Sequence, residues 1–287
     1  MKNIAIIGAG MSGMVAAIVA ARKKHKVTLY ERNDRVGKKI LLTGNGKCNL
    51  SAKTISENDY VSKDKELLPA LLNNFSKKQE EDFWRSLGLL TKEKNSGIYP
   101  VSNQASSVLD VLRYAVKRLN VEVICDSHIR EIIPAKDGFQ IDGRKFQHVI
   151  LACGGKAGVY NEEKYNGFSL AKSLGHEVVP CYPALVQTVC KGDFFKAIAG
   201  VRADVRIALC TKAKQIATEQ GELQITDYGL SGIPVFQHSR FIGPLLAAKE
   251  KVAFEIDLLP AYSIQELQEH INARKAETKE DTLEEFL

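Results

Sequence analysis

Asn3-Ile-Ala-Ile-Ile-Gly-Ala-Gly-Met-Ser-Gly13, an Ala-rich run to Arg22, and then Lys26-Val-Thr-Leu-Tyr-Glu31 decide how this chain is read. Asn3–Ile7 predicts a strand, the small-residue run a helix packed closely upon it, and Lys26–Tyr30 a second strand. Gly8 lets the chain turn sharply off the first strand. Gly10 removes the Cβ that would obstruct a pyrophosphate, and Gly13 lets the helix approach the strand. The helix N-terminus adds unpaired N–H groups and a partial positive charge for phosphates. Glu31 follows the last of these glycines by 18 residues, where a carboxylate accepts hydrogen bonds from ribose hydroxyls. A lone Gly-x-Gly-x-x-Gly says little. In register with strand, helix, strand and acid, it says dinucleotide.

At 287 residues the chain is long enough for a sizeable core and two domains. Its 45% hydrophobic and 26% charged residues suit a globular soluble protein. Glycines and a helix follow the first strand where a signal peptide would carry its cleavage site. No apolar run approaches the roughly 18 residues of a membrane span, so no membrane partner is expected. Six cysteines are scattered without a CxxC pair, which argues against zinc or a disulfide framework and fits a reducing, cytoplasmic setting. Net charge is +6, yet Lys and Arg form no tract, so an anionic cofactor accounts for it and nucleic acid is the minority reading.

Beyond Glu31, Arg32 opens a polar connection punctuated by Gly37, Gly44 and Gly46, with Lys38 and Lys39 suited to phosphate and Asn45 and Asn49 bringing paired donors and acceptors. Helical periodicity marks 65–74, 77–87 and 105–119, with Phe83 and Trp84 read as core, and a turn-rich segment is expected at 96–101. Residues 121–125 read as a buried strand. Asp137-Gly138 and Asp142-Gly143 predict turns of a small antiparallel sheet, before a strand ending at Ala152-Cys-Gly154 rejoins the main sheet. A short helix at 167–174 stops at Gly175-His176. From 177 onward β-type runs predominate, at 177–179, 184–189, 203–210, 214–217 and 222–225. Glycines and Pro234 deny regular structure from 226 until a helix near 235–242. A strand at 252–258, a charged helix at 264–275 and an acidic helical pattern at 278–287 complete the chain.

The N-terminal fingerprint, the Gly37–Asn49 loop and the strand end at 151–155 resemble the two-dinucleotide-binding-domain flavoproteins. More narrowly, Gly37-Lys-Lys-Ile-Leu-Leu-Thr-Gly-Asn-Gly-Lys-Cys-Asn49, Gly167-Phe-Ser-Leu-Ala-Lys-Ser-Leu-Gly-His176, Tyr182-Pro-Ala-Leu-Val186 and Gly221-Glu-Leu-Gln-Ile-Thr-Asp-Tyr-Gly-Leu-Ser-Gly-Ile-Pro234 resemble the FAD family of aminoacetone oxidase and the BaiN bile-acid reductase. The resemblance implies an α/β fold: a discontinuous Rossmann-like FAD domain over 1–176, an inserted β-barrel-like substrate domain over 177–258, and the start of a helical subdomain over 259–287. It places Gly8, Gly10, Met11, Ser12 and Gly13 at the pyrophosphate and Glu31 at the adenosine ribose. Arg32, Lys38 and Lys39 lie near adenosine and phosphates, and the loop through Gly44, Gly46 and Asn49 runs toward the flavin. Ile129 offers backbone to adenine, and the strand end at Ala152 and Gly154 lies close to the ligand. Cys153 stands where the family has threonine. Nothing after Glu177 supplies the family's glycine-rich return segment, so a C-terminally truncated member is expected.

FAD would carry the redox step, which removes the need for a Ser-His-Asp or paired-carboxylate site. The six histidines are dispersed and no catalytic residue is assigned. The leading expectation is a hydride exchanged between flavin and a small or sterol-like organic substrate, with NAD(P)H or dioxygen as second partner. The rivals are a truncated, non-catalytic nucleotide-binding remnant, a flavoprotein modifying tRNA, and a plain NAD(P) dehydrogenase. Cys48 is the cysteine to watch, with a small buried packing residue as its leading reading. Substrate identity and oligomeric state are left open.

Overall fold

β1 (Asn3–Ile7) is buried on both faces, as an interior parallel strand must be, and α1 (Met11–Arg22) returns the chain to β2 (Lys26–Tyr30) beside it. The computed structural model describes residues 1–60, 64, 66–157 and 167–277. It divides into two compact units, Met1–Val179 and Pro180–Leu287.

In the first unit, β3 (Ser51–Ala52), α2 (Leu67–Asn74), α3 (Lys77–Ser86), β4 (Thr91–Lys94) and β5 (Gly97–Pro100) occupy the stretch after the polar connection. Gly97–Pro100, expected as turns, pairs antiparallel with β3 and β4 in a three-stranded sheet. The helix expected from residue 65 starts at Leu67, residue 65 itself lying outside the described residues. α4 (Ala105–Arg118) buries Val108, Leu109, Leu112 and Val116, the predicted stripe, against α1 and the sheet. β6 (Glu122–Ile124) corrects an expectation. It is an edge strand with Glu122 and Val123 exposed, not a buried one.

β7 (Ile133–Ala135), β8 (Gly138–Ile141) and β9 (Arg144–Phe146) form the small antiparallel sheet, turning at Asp142-Gly143 with both residues at positive φ. β10 (His148–Leu151) then joins β1, completing a parallel sheet of order β10-β1-β2-β6. Trp84 packs in the same core as Ile6, Met14, Ile18 and Leu29, and the last four are fully buried. Each contributes about 1.5–3 kcal/mol. α5 (Gly167–Ser173) closes the unit, with His176 N–H returning to the Ala171 carbonyl as a helix-end residue.

The second unit is an open antiparallel half-barrel. β11 (Thr188–Val189), β12 (Arg202–Thr211), β13 (Gln215–Thr226) and β14 (Gly229–Gly232) lead into α6 (Ile233–Ala247), β15 (Val252–Asp257) and α7 (Ile264–Glu277), with strand order β11-β14-β13-β12-β15. The runs expected separately at 214–217 and 222–225 are one twelve-residue strand. Residues 177–179 form no strand. The 226–235 stretch is regular after all: β14 pairs with β13, and Pro234 opens α6, where its missing N–H is not needed. The acidic pattern at 278–287 lies outside the described residues.

Candidate functional site

The site is built where β1 gives way to α1. Gly8, at φ 103°, turns the chain and donates its N–H to the Tyr30 carbonyl at 2.8 Å. A Cβ there would stand 2.4 Å from the Ala152 carbonyl oxygen, and one on Gly13 would stand 1.8 Å from the Gly8 carbonyl oxygen. Protein atoms therefore fill the space beside both. Gly10 differs: a Cβ placed on it would meet nothing within 4 Å. At the N-cap of a twelve-residue helix, that open volume is what a close-approaching diphosphate requires. No side chain caps α1 and no acid sits in its first turn, so nothing within the helix competes for that end.

Glu31 is buried, and its carboxylate is held by three N–H groups. Ala9 N–H donates to Oε2 at 2.9 Å, tying the acid to the glycine turn. Asn33 donates to Oε1 twice, from its backbone N–H at 3.0 Å and from its side-chain amide. Burial of a carboxylate is costly unless donors surround it, and three are supplied. The backbone is stitched as firmly: Glu31 N–H reaches Ile124 O, while Ser127 and Asp126 N–H reach Glu31 O and Asn33 O. Cys125 lies within the field of Glu31. Burial chiefly, then that negative charge, raises its thiol pKa.

Gly8, Gly10, Gly13, Glu31 and Ala152 thus come together, with Ala152 N–H bonded to Ile7 O. Met11 packs partly against the core and Ser12 is exposed on the first turn of α1. Arg32 is exposed and in electrostatic reach of Cys153. That cysteine is exposed as a residue, but its Sγ turns inward to Ile7 O at 3.4 Å; burial of the sulfur pushes the thiol up, and Arg32 works against this. Lys38 is engaged by Asp34, four residues back, at 2.6 Å. Lys39 donates to Ala157 O, and its Nζ lies 4.0 Å from where a Gly154 Cβ would be. Gly44 and Gly46 fall in a short turn of helix, Ile40–Gly46. Asn49 lies beside Gly97, and Ile129 is buried with Tyr30 in a second core cluster. Cys48 is buried among core residues at φ 58°. Asn33 was not anticipated from the sequence. An amide two residues past the acid, at a strand end, was its only signal.

Among the described residues no group of three or more His, Cys, Asp or Glu could hold a metal ion, and no helix is long and apolar enough to cross a membrane. Fold and family together define an FAD-dependent oxidoreductase of Rossmann type. The chain belongs to the HI0933-like protein Rossmann domain family, matched over residues 2–281. It is 39% identical to the 3-dehydro-bile acid delta(4,6)-reductase of Clostridium scindens, in an alignment covering 100% of this chain and 72% of that protein. The ribosomal RNA dihydrouridine synthase of Haemophilus influenzae is 25% identical, covering 100% of this chain and 70% of the relative. Among solved structures, the open conformation of a flavocytochrome c3 fumarate reductase superposes with a TM-score of 0.41 and 16% identity, covering 71% of this chain and 47% of that one.

Proposed function

We propose that this oxidoreductase moves a hydride between its flavin and a small or sterol-like organic substrate, with NAD(P)H or dioxygen as the second redox partner. The observation that carries the cofactor half of this reading is the cradle that is filled at Gly8 and Gly13 and open at Gly10, with a buried, donor-held Glu31 beside it. Whole-chain similarity to a bile-acid reductase supports the substrate class. When bound, FAD supplies hydride chemistry at flavin N5; the chain supplies binding, orientation and exclusion of water.

In this reading the N–H groups of Met11, Ser12 and Gly13 hold the diphosphate and Glu31 takes a ribose hydroxyl. Arg32 and Lys39 add positive charge nearby, and the Asp34-bound Lys38 can be redirected because an exposed pair is weak. Gly44, Gly46 and Asn49 approach the flavin side, Ile129 offers backbone to adenine, and Ala152 and Gly154 line the strand end. Residues 1–176 serve as the FAD domain, 177–258 as the substrate domain and 259–287 as the start of a helical part, in the cytoplasm.

Purified protein is expected to be yellow, or to become so with added FAD. Anaerobic photoreduction followed by rapid mixing with dioxygen, with oxidised nicotinamides or with a 3-oxo-4-ene bile acid separates the partners. A colourless protein that ignores FAD would sink the reading. Action on RNA is a second reading, favoured by the net charge of +6 and the RNA-modifying relative. It calls for copurifying RNA whose binding falls steeply with salt.

A further inference from the structure

We propose that Asn33 is a positioning residue that makes the ribose acid one-sided. A carboxylate oxygen has about two acceptor directions. Both on Glu31 Oε1 are taken by Asn33, through its backbone N–H at 3.0 Å and its side-chain amide. On Oε2, among the described residues, only Ala9 N–H is bound, at 2.9 Å. The acceptor capacity left to a ligand therefore sits on Oε2, next to the glycine turn. A ribose presents two neighbouring hydroxyls, and an unhindered carboxylate would take both, one on each oxygen. Here Glu31 accepts one directly and leaves the other to solvent or to another group.

The backbone that carries the amide is itself fixed. Asn33 O accepts Asp126 N–H at 2.9 Å and Glu31 O accepts Ser127 N–H at 2.9 Å, so the turn after β2 is locked to the 124–127 segment. Ligand recognition at Glu31 is thus coupled to a side chain that need not touch the ligand.

The inference rests on the nucleotide-site reading, and its test separates the two. Titration calorimetry compares ADP, 2′-deoxy-ADP and 3′-deoxy-ADP on the full chain and on Asn33→Ala. The native chain is expected to lose about tenfold in affinity when one hydroxyl is removed and little when the other is. Asn33→Ala frees one direction on Oε1, so the ratio between the two deoxy nucleotides should shrink to about two- to threefold, whatever stability the lost hydrogen bond costs. A merely structural role would weaken all three ligands together and leave that ratio alone. Asn33→Ser, which keeps a short donor, serves if the alanine variant does not fold, and should give an intermediate ratio. A native chain that binds neither ADP nor FAD overturns the nucleotide site itself. Binding without a hydroxyl preference, or a preference unchanged in the variants, overturns the role of Asn33 alone.

Discussion

Gly10 and Gly13 stand three residues apart and make opposite demands, because one faces open volume and the other a carbonyl oxygen 1.8 Å from its absent Cβ. Gly10→Val should therefore leave the melting temperature nearly unchanged while abolishing the flavin absorbance. Gly13→Ala should instead cost about 1–3 kcal/mol in urea denaturation, since α1 must move off β1. Equal loss of stability in both would mean that the volume at Gly10 is not free. The glycine spacing was legible because each glycine has a fixed job in one local turn. Asn33 was less so: its contact with Glu31 spans only two residues, but the turn that makes it is held by residues 124–127, which lie far away in the sequence. Lys38 shows the same limit: its i,i+4 spacing to Asp34 is readable in the sequence, but the ion pair itself depends on where the chain places the two side chains.

Among elements, the βαβ core, α4 and the hairpin turns were legible because hydrophobic periodicity and Asp-Gly chemistry act locally. β14 was hidden by its own glycines. A Cβ at Gly229 would lie 2.1 Å from Thr188 O, and one at Gly232 would lie 2.3 Å from Glu222 O, so glycine here marks close strand approach rather than irregular chain. β6 misled because Val121 is buried while the residues after it face solvent at the sheet edge. That edge carries Glu122, which takes a fork from Arg144 of β9 and the Thr28 hydroxyl. The Arg144 hydrogen bond first, then Thr28, hold its carboxyl below the ordinary glutamate range. The stabilisation is present above that range and is lost as pH falls through the depressed value. Both side chains are partly exposed, so Arg144→Met is expected to cost only about 0.5–1 kcal/mol at neutral pH. The difference should vanish once the pH has fallen through that depressed value, as urea melts at neutral and at acid pH would record. A pH-independent loss would point instead to packing of Arg144 over the Phe146 ring. At α3, Ser76 and Gln79 form a reciprocal capping box, and Ser76→Ala should cost about 1 kcal/mol in the same assay.

At the scale of the molecule, the single tryptophan, Trp84, is buried in the core that carries α1 and β1. Its fluorescence therefore reports the melting of Met1–Val179 and not of Pro180–Leu287. ADP at a hundredfold its Kd should stabilise that unit by about 2.7 kcal/mol and move the fluorescence transition upward. Far-UV circular dichroism, to which both units contribute, should then show a second transition from the β-rich unit that does not shift. A single far-UV transition that moves with the fluorescence would mean the units melt as one. The placement of β1 has one more consequence, for the chain as it is made. Its neighbour β2 follows within about 20 residues, but its other neighbour, β10, pairs Ile7 with Leu151. At about 5–20 residues per second, translation leaves one side of β1 bare for roughly 7–30 s. During that interval this apolar strand offers an open hydrogen-bonding edge, a template on which another chain could pair before β10 arrives.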